Sequence, residues 1–282
     1  MNKKVLVSLH NGIGDLVITF PIIKHLLSFS YDVTYETVRN NFDLIEYFFG
    51  DKIQTVEYKD NIDPSKKYLD RTSDGPLYDF VVNLNNMYLL NDISHYYYKD
   101  DHAKQINRQI LANFLFINSY IKDIPQNLDM SSYFNVSKYQ TNNIIVFTQS
   151  KSAENRKLHY DLVCKLVERY KNNDRVIIDP KYNNLKELCQ NINDAKLVIT
   201  VDTGTLHISE ILKTNWVGLF TNFGENVLTK HYKYGTGIIQ SNVPCSPCNY
   251  HGGGCNRNAD NQFNCIYGFD FESIIDIIDK SL

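Results

Sequence analysis

Three segments of this chain share one pattern: a short apolar run, a polar turn, then helical periodicity. Residues 3–9 (KVLVSLH) run into His10-Asn11-Gly12-Ile13-Gly14-Asp15 and then into the apolar stretch 16–27. Residues 143–149 (NIIVFTQ) run into the turn 150–157 and then into 158–170, where Leu158, Leu162, Leu166 and Val167 predict one buried face. Residues 196–201 (KLVITV) run into Asp202-Thr203-Gly204 and a helix through Leu212. Parallel strands need a crossover connection, so this pattern predicts an α/β fold with parallel sheets. Further strands are expected at 32–38, 53–58, 78–84, 176–178 and 216–220, with helices at 104–120 and 185–192. Pro21 is read as a kink or a late start of the first helix. Weak periodicity over 122–143 marks a boundary, giving two domains, 1–135 and 136–282. Ligands of such folds bind beyond the carboxyl ends of the strands, here expected in a cleft between the domains.

The turns carry the candidate chemistry. Gly12 and Gly14 let backbone approach a ligand, with Gly14 a candidate for binding the donor's phosphate, and Asp15 either caps the following helix or serves as a general base. The dinucleotide fingerprint GxGxxG is absent. The turn Asp202, Thr203, Gly204, Thr205 and His207 opens a helix, whose unsatisfied N–H groups and positive dipole end suit a phosphate. His207 either bonds that phosphate or holds the loop. The turn 150–157 offers Ser150, Lys151, Arg156 and Lys157, a set suited to neutralising a phosphate, with Lys as a point charge and Arg as a bidentate fork. Both turns follow strands of the same half, so both are expected to face one diphosphate. Asp179, at the end of 176–178, is a candidate for a ribose hydroxyl.

Cys245, Cys248, Cys255 and Cys265 follow a C-x2-C-x6-C-x9-C spacing. Four thiolates suit a tetrahedral, structural Zn or Fe site, with His251 as an alternative ligand; the other reading is four reduced thiols packed in a loop. Cys164 and Cys189 are expected in helix cores. Lys plus Arg is 29 and Asp plus Glu is 32, a net charge of −3 without a global nucleic-acid footprint. No apolar run reaches the roughly 20 residues of a membrane span, so the expected location is cytoplasmic, peripheral to an inner membrane.

In order, the segments GIGDLVITFPIIKHL, ENRKLHYDLVCKL, KLVITVDTGTLHISEILKTNWVGLF and PCSPC resemble the ADP-heptose:lipopolysaccharide heptosyltransferase family, glycosyltransferase family 9. The resemblance implies a GT-B fold, two Rossmann-like domains facing across a cleft. It implies inverting, metal-independent transfer of a sugar such as heptose from a nucleotide-diphosphate donor to a surface-glycan hydroxyl, with no cofactor required for the chemistry. By the same resemblance Asp15 is the base, Lys157 contacts the diphosphate, and Asp202, Thr203, Gly204, Thr205 and His207 form the donor turn. Where the family often carries Trp after the lysine, this chain has Leu158-His159-Tyr160.

Other readings keep the fold and change the role. A phage-type member would modify a DNA base or a protein, with Lys66, Lys67 and Arg71 as the basic patch. A non-catalytic nucleotide- or metal-binding module, or an epimerase, would use the same two domains.

Overall fold

A computed structural model describes residues 2–10, 12–58, 78, 80–83, 130–136, 138, 141–151, 153–224, 229, 232–248, 255 and 263–282. The chain divides into two compact units: Met1–Leu128 with Asn184–Lys186, and Asp129–Asn183 with Glu187–Leu282.

The first unit holds β1 (Lys4–Ser8), α1 (Ile13–Ser28), β2 (Asp32–Thr37), α2 (Phe42–Phe49), β3 (Gln54–Glu57) and β4 (Phe80–Asn83). Its sheet is parallel with the order β3-β2-β1-β4. Val5, Leu6, Val7 and Ser8 are buried in succession, as expected of a parallel strand covered on both faces. Phe20 of α1 meets the Phe49 ring of α2 edge-on, with centroids 5.0 Å apart. The strand order reverses between β1 and β4, so the turn after β1 stands at the switch point.

The first helix begins at Ile13, three residues before the apolar stretch, and runs through Pro21. Pro21 therefore does not mark a late start; its missing N–H only forfeits the bond to the carbonyl four residues back.

The second unit holds β5 (Ile144–Phe147), α3 (Tyr160–Tyr170), β6 (Val176–Ile178), α4 (Leu185–Asp194), β7 (Leu197–Val201), α5 (Gly204–Ile211), β8 (Trp216–Phe220), β9 (Gly235–Gln240) and α6 (Phe271–Ser281). The sheet is parallel, in the order β6-β5-β7-β8-β9. Ile144, Val146, Leu197, Ile199, Val217 and Leu219 of the strands pack with Leu166, Tyr170, Ile274 and Ile278 of α3 and α6. Here the reversal falls between β5 and β7.

Two expectations for α3 are corrected. Val167 is 48% exposed and Cys164 is exposed. The face that packs is Leu162, Val163, Leu166 and Tyr170, and 3.6 residues per turn carries Val167 and Cys164 off it. Cys189 is buried, and burial pushes its thiol strongly upward. Helix 104–120, the patch Lys66, Lys67 and Arg71, and His251 lie outside the described residues.

Candidate active site

In the second unit, the segments after β5 and β7 are the two turns singled out in sequence. The first is a small hairpin. Gln149 and Lys157 form an antiparallel bridge. The Ser150 N–H donates to the Arg156 carbonyl at 3.0 Å, and the Leu158 N–H donates to the Thr148 carbonyl at 2.9 Å. The Thr221 hydroxyl, just past β8, donates to the Asn155 carbonyl. The hairpin is thus tied both to itself and to the sheet.

The second turn places Asp202 beyond the end of β7 and Thr203 at the N-cap of α5. The Thr203 side chain makes no capping bond, so no side chain closes this helix start. A helix end of this kind presents N–H groups and partial positive charge to an anion.

The two turns meet. Arg156 Nε lies 3.3 Å from Asp202 Oδ2, and the guanidinium carbon lies 5.0 Å from the Phe223 ring centre. Asp202 is buried, which raises its carboxyl above the usual range, and Arg156 opposes that rise. The contact is ionic rather than a well-aligned hydrogen bond: neither buried atom has a hydrogen-bond partner. Arg156 lay in a recognised turn, but nothing in its spacing ranked it above Lys157. Lys157 pairs instead with Glu154 at 2.5 Å, an ion pair with Lys157 35% and Glu154 71% exposed.

The remaining turn residues are mostly engaged with the protein. Asp179 accepts from the Thr148 N–H at 2.8 Å and from the Thr148 hydroxyl, clasping the ends of β5 and β6. The Thr205 hydroxyl shares a 2.6 Å bond with Thr200. His207 is buried, with Nδ1 2.5 Å from the Tyr232 hydroxyl. Burial and the nearby Arg156 charge push the His207 pKa down to about 3.

His207 carries a pH prediction. Its ordinary value is 6.5 and its folded value is depressed. The unfolded chain therefore takes up the proton first, and this contribution to stability is present above pH 6.5 and lost as pH falls toward 3. The expected slope from this group approaches about 1.4 kcal/mol per pH unit. Denaturant titrations between pH 7 and 4 check it: His207→Gln should flatten the acid limb by close to one proton, and an unchanged slope would refute the assignment.

Sequence reasoning missed Glu210. Fully buried in α5, it accepts from Trp216 Nε1 at 2.9 Å, from the Lys233 N–H at 2.8 Å and from the Tyr234 N–H at 3.1 Å. It fastens the approach to β9 onto the helix whose N-terminus forms the site.

In the first unit, Gly12 is the N-cap of α1, Gly14 lies in its first turn, and Asp15 follows at the third helical position. Asp15 is half-buried and is not the cap. At the same strand ends Ser8 donates to Glu36 at 2.7 Å, and His10 Nε2 lies 3.0 Å from the Ser8 hydroxyl.

The Cys265 thiol is raised to about 11 by burial, with Cys245, Cys248 and Cys255 adding to the rise. Among the described residues, however, no three His, Cys, Asp or Glu side chains form a group that could hold a metal ion.

Comparison with known proteins accords with this architecture. Residues 117–253 match the family model of glycosyltransferase family 9 (heptosyltransferase). The E. coli heptosyltransferase WaaC with ADP shares the fold at 13% identity, with a TM-score of 0.60, covering 99% of this chain and 100% of that one. The iron-containing dodecameric glycosyltransferase TibC of enterotoxigenic E. coli gives 15% identity and a TM-score of 0.62, covering 99% of this chain and 78% of its own. A family 9 glycosyltransferase of Veillonella parvula gives 13% identity and a TM-score of 0.57, covering 99% and 97%. No curated protein matches the chain in sequence. The chain is thus an enzyme of the glycosyltransferase class with a GT-B fold. Its resemblance to family 9, read from motifs, is upheld by the family model and by the shared fold of heptosyltransferases.

Proposed function

We propose that this glycosyltransferase moves a heptose-type sugar, with inversion, from a nucleoside-diphosphate donor to a hydroxyl of a surface glycan such as a lipopolysaccharide core. The Arg156–Asp202 contact carries the donor half of this reading, because it joins the two turns at the switch point of one sheet. In the reaction the acceptor oxygen attacks the anomeric carbon and Asp15 takes its proton. The bond to the diphosphate breaks, and its electron pair leaves with the nucleoside diphosphate. The developing negative charge is met by the N–H groups at the start of α5 and by the cations of the hairpin, Arg156 and Lys157. Ser150, Gly204 and the Thr203 hydroxyl complete the donor turn; Thr205, His207 and Asp179 hold it in shape. The first unit, with Asp15, serves the acceptor.

The choice of donor follows the solved relatives, one with ADP and one with ADP-D-beta-D-heptose. A panel of ADP-, UDP- and GDP-sugars, scored for release of the nucleoside diphosphate with and without a glycan acceptor, tests it. Acceptor-dependent release from an ADP-heptose is expected. Release only from a non-ADP sugar would overturn the donor assignment, and stimulation by modified DNA or protein rather than glycan would overturn the acceptor. The proposed place of work is the cytoplasm, peripheral to the inner membrane; no helix among the described residues is long and apolar enough to cross a membrane.

The four cysteines are proposed to hold a structural Zn or Fe ion. The thiol chemistry and the influence of Cys245, Cys248 and Cys255 on Cys265 support this, although the sulfurs are not gathered into a ligand set among the described residues. Metal analysis of the purified full chain is expected to give close to one ion per chain, lost in Cys245→Ser. A metal-free, folded and active protein would refute it.

A further inference from the structure

A diphosphate at this strand tip meets a charge problem, because Asp202 is a buried carboxylate in the same turn. An uncompensated carboxylate there would repel the ligand through a medium that screens poorly. Arg156 supplies the compensation, and its geometry does more than cancel charge. The guanidinium rests against Phe223 and turns its buried Nε toward Asp202. The side chain keeps 24% of its surface and makes no hydrogen bond among the described residues. The open part is therefore the outer end, where the two terminal nitrogens form the fork that matches phosphate oxygens. Lys157, the neighbouring cation, is paired with Glu154.

We propose that Arg156 is the principal grip on the donor's diphosphate, and that Asp202 is a positioning residue that acts through Arg156 rather than touching the phosphates. This rests on the donor-site reading above and assigns its residues different tasks. A buried anion beside an anion site is then useful, because it fixes the guanidinium by one edge and leaves the other free.

Inorganic pyrophosphate is the probe, since it lacks base and sugar and reports the grip alone. Calorimetric titration of the full chain is expected to show binding that Arg156→Gln weakens by about 30-fold and Arg156→Lys by about 10-fold, because the lysine keeps charge and loses the fork. Lys157→Gln should weaken it less than Arg156→Gln does. Asp202→Asn removes a negative charge and should nevertheless weaken binding, with little further effect in the Arg156→Gln background. The affinity of Arg156→Gln should also depend less steeply on salt, which a merely structural role would not produce. Thermal melts establish that each variant is folded, and Arg156→Lys keeps the test open if Arg156→Gln is not. Pyrophosphate affinity within twofold of the parent in Arg156→Gln, or tighter binding in Asp202→Asn, would overturn the inference. A parent chain that binds ADP but loses it only on Lys157→Gln would overturn it while sparing the functional reading. A parent that binds neither pyrophosphate nor any nucleoside diphosphate would remove both.

Discussion

Replacing Asp15 by Ala should lower sugar transfer by about 10²–10⁴-fold, the usual worth of a positioned general base, or roughly 3–5 kcal/mol of barrier. Affinity for the nucleoside diphosphate should stay near that of the parent, because Asp15 belongs to the first unit and the turns proposed to bind the phosphates belong to the second. The position supports the expectation. Asp15 lies in the first turn of α1, at the switch point of its own sheet, and the cap is Gly12. Asp15→Asn should behave like the alanine variant, since the amide keeps the shape and cannot accept the proton. Rates measured under saturating donor decide it, and a variant within threefold of the parent would remove Asp15 from the chemistry.

The largest effect on stability is expected at Glu210. Glu210→Ala leaves the Trp216 indole N–H and the Lys233 and Tyr234 backbone N–H groups without this acceptor. Each such loss at a buried site costs about 1–3 kcal/mol, so a total of about 3 kcal/mol or more is expected. In a unit of this size that lowers Tm by about 6–12 °C. Glu210→Gln retains one acceptor oxygen and should lose less. A melting curve of Glu210→Ala that overlays the parent would show that the approach to β9 is held by other contacts.

The reach of the sequence reading follows from which signals are local. Strand, turn and helix succeed one another along the chain, so β1, β5 and β7 and the turns after them were legible from apolar runs and turn residues. α2, β9 and α6 fall outside the three strand–turn–helix segments, although Ile274, Ile275 and Ile278 of α6 recur at helical spacing. The partnership of Arg156 with Asp202 was illegible for a different reason: it joins residues brought together by strand order, and β6 with α4 intervenes between them in sequence. Glu210 was hidden because a glutamate in a helix reads as a solvated residue unless one knows that Trp216 and the approach to β9 fold over it. Asp179 and His207 were recognised as polar groups at strand tips, but a sequence does not say whether such groups face a ligand or one another. Val167 and Cys164 were misplaced because the packed face of α3 is centred on Leu162, Val163, Leu166 and Tyr170, and the helical repeat carries both off it.

The hairpin after β5 has a bearing on how such an enzyme could be re-engineered. Its two legs are laced by backbone bonds and its far leg is anchored by Thr221. Side chains at the tip, such as Lys151 and Glu154, can therefore be exchanged without moving the guanidinium below them. Adding or deleting a residue is another matter, because the lacing would slip by one place and present a neighbour where Arg156 now stands. Composition at the tip is thus open to variation, while loop length is not.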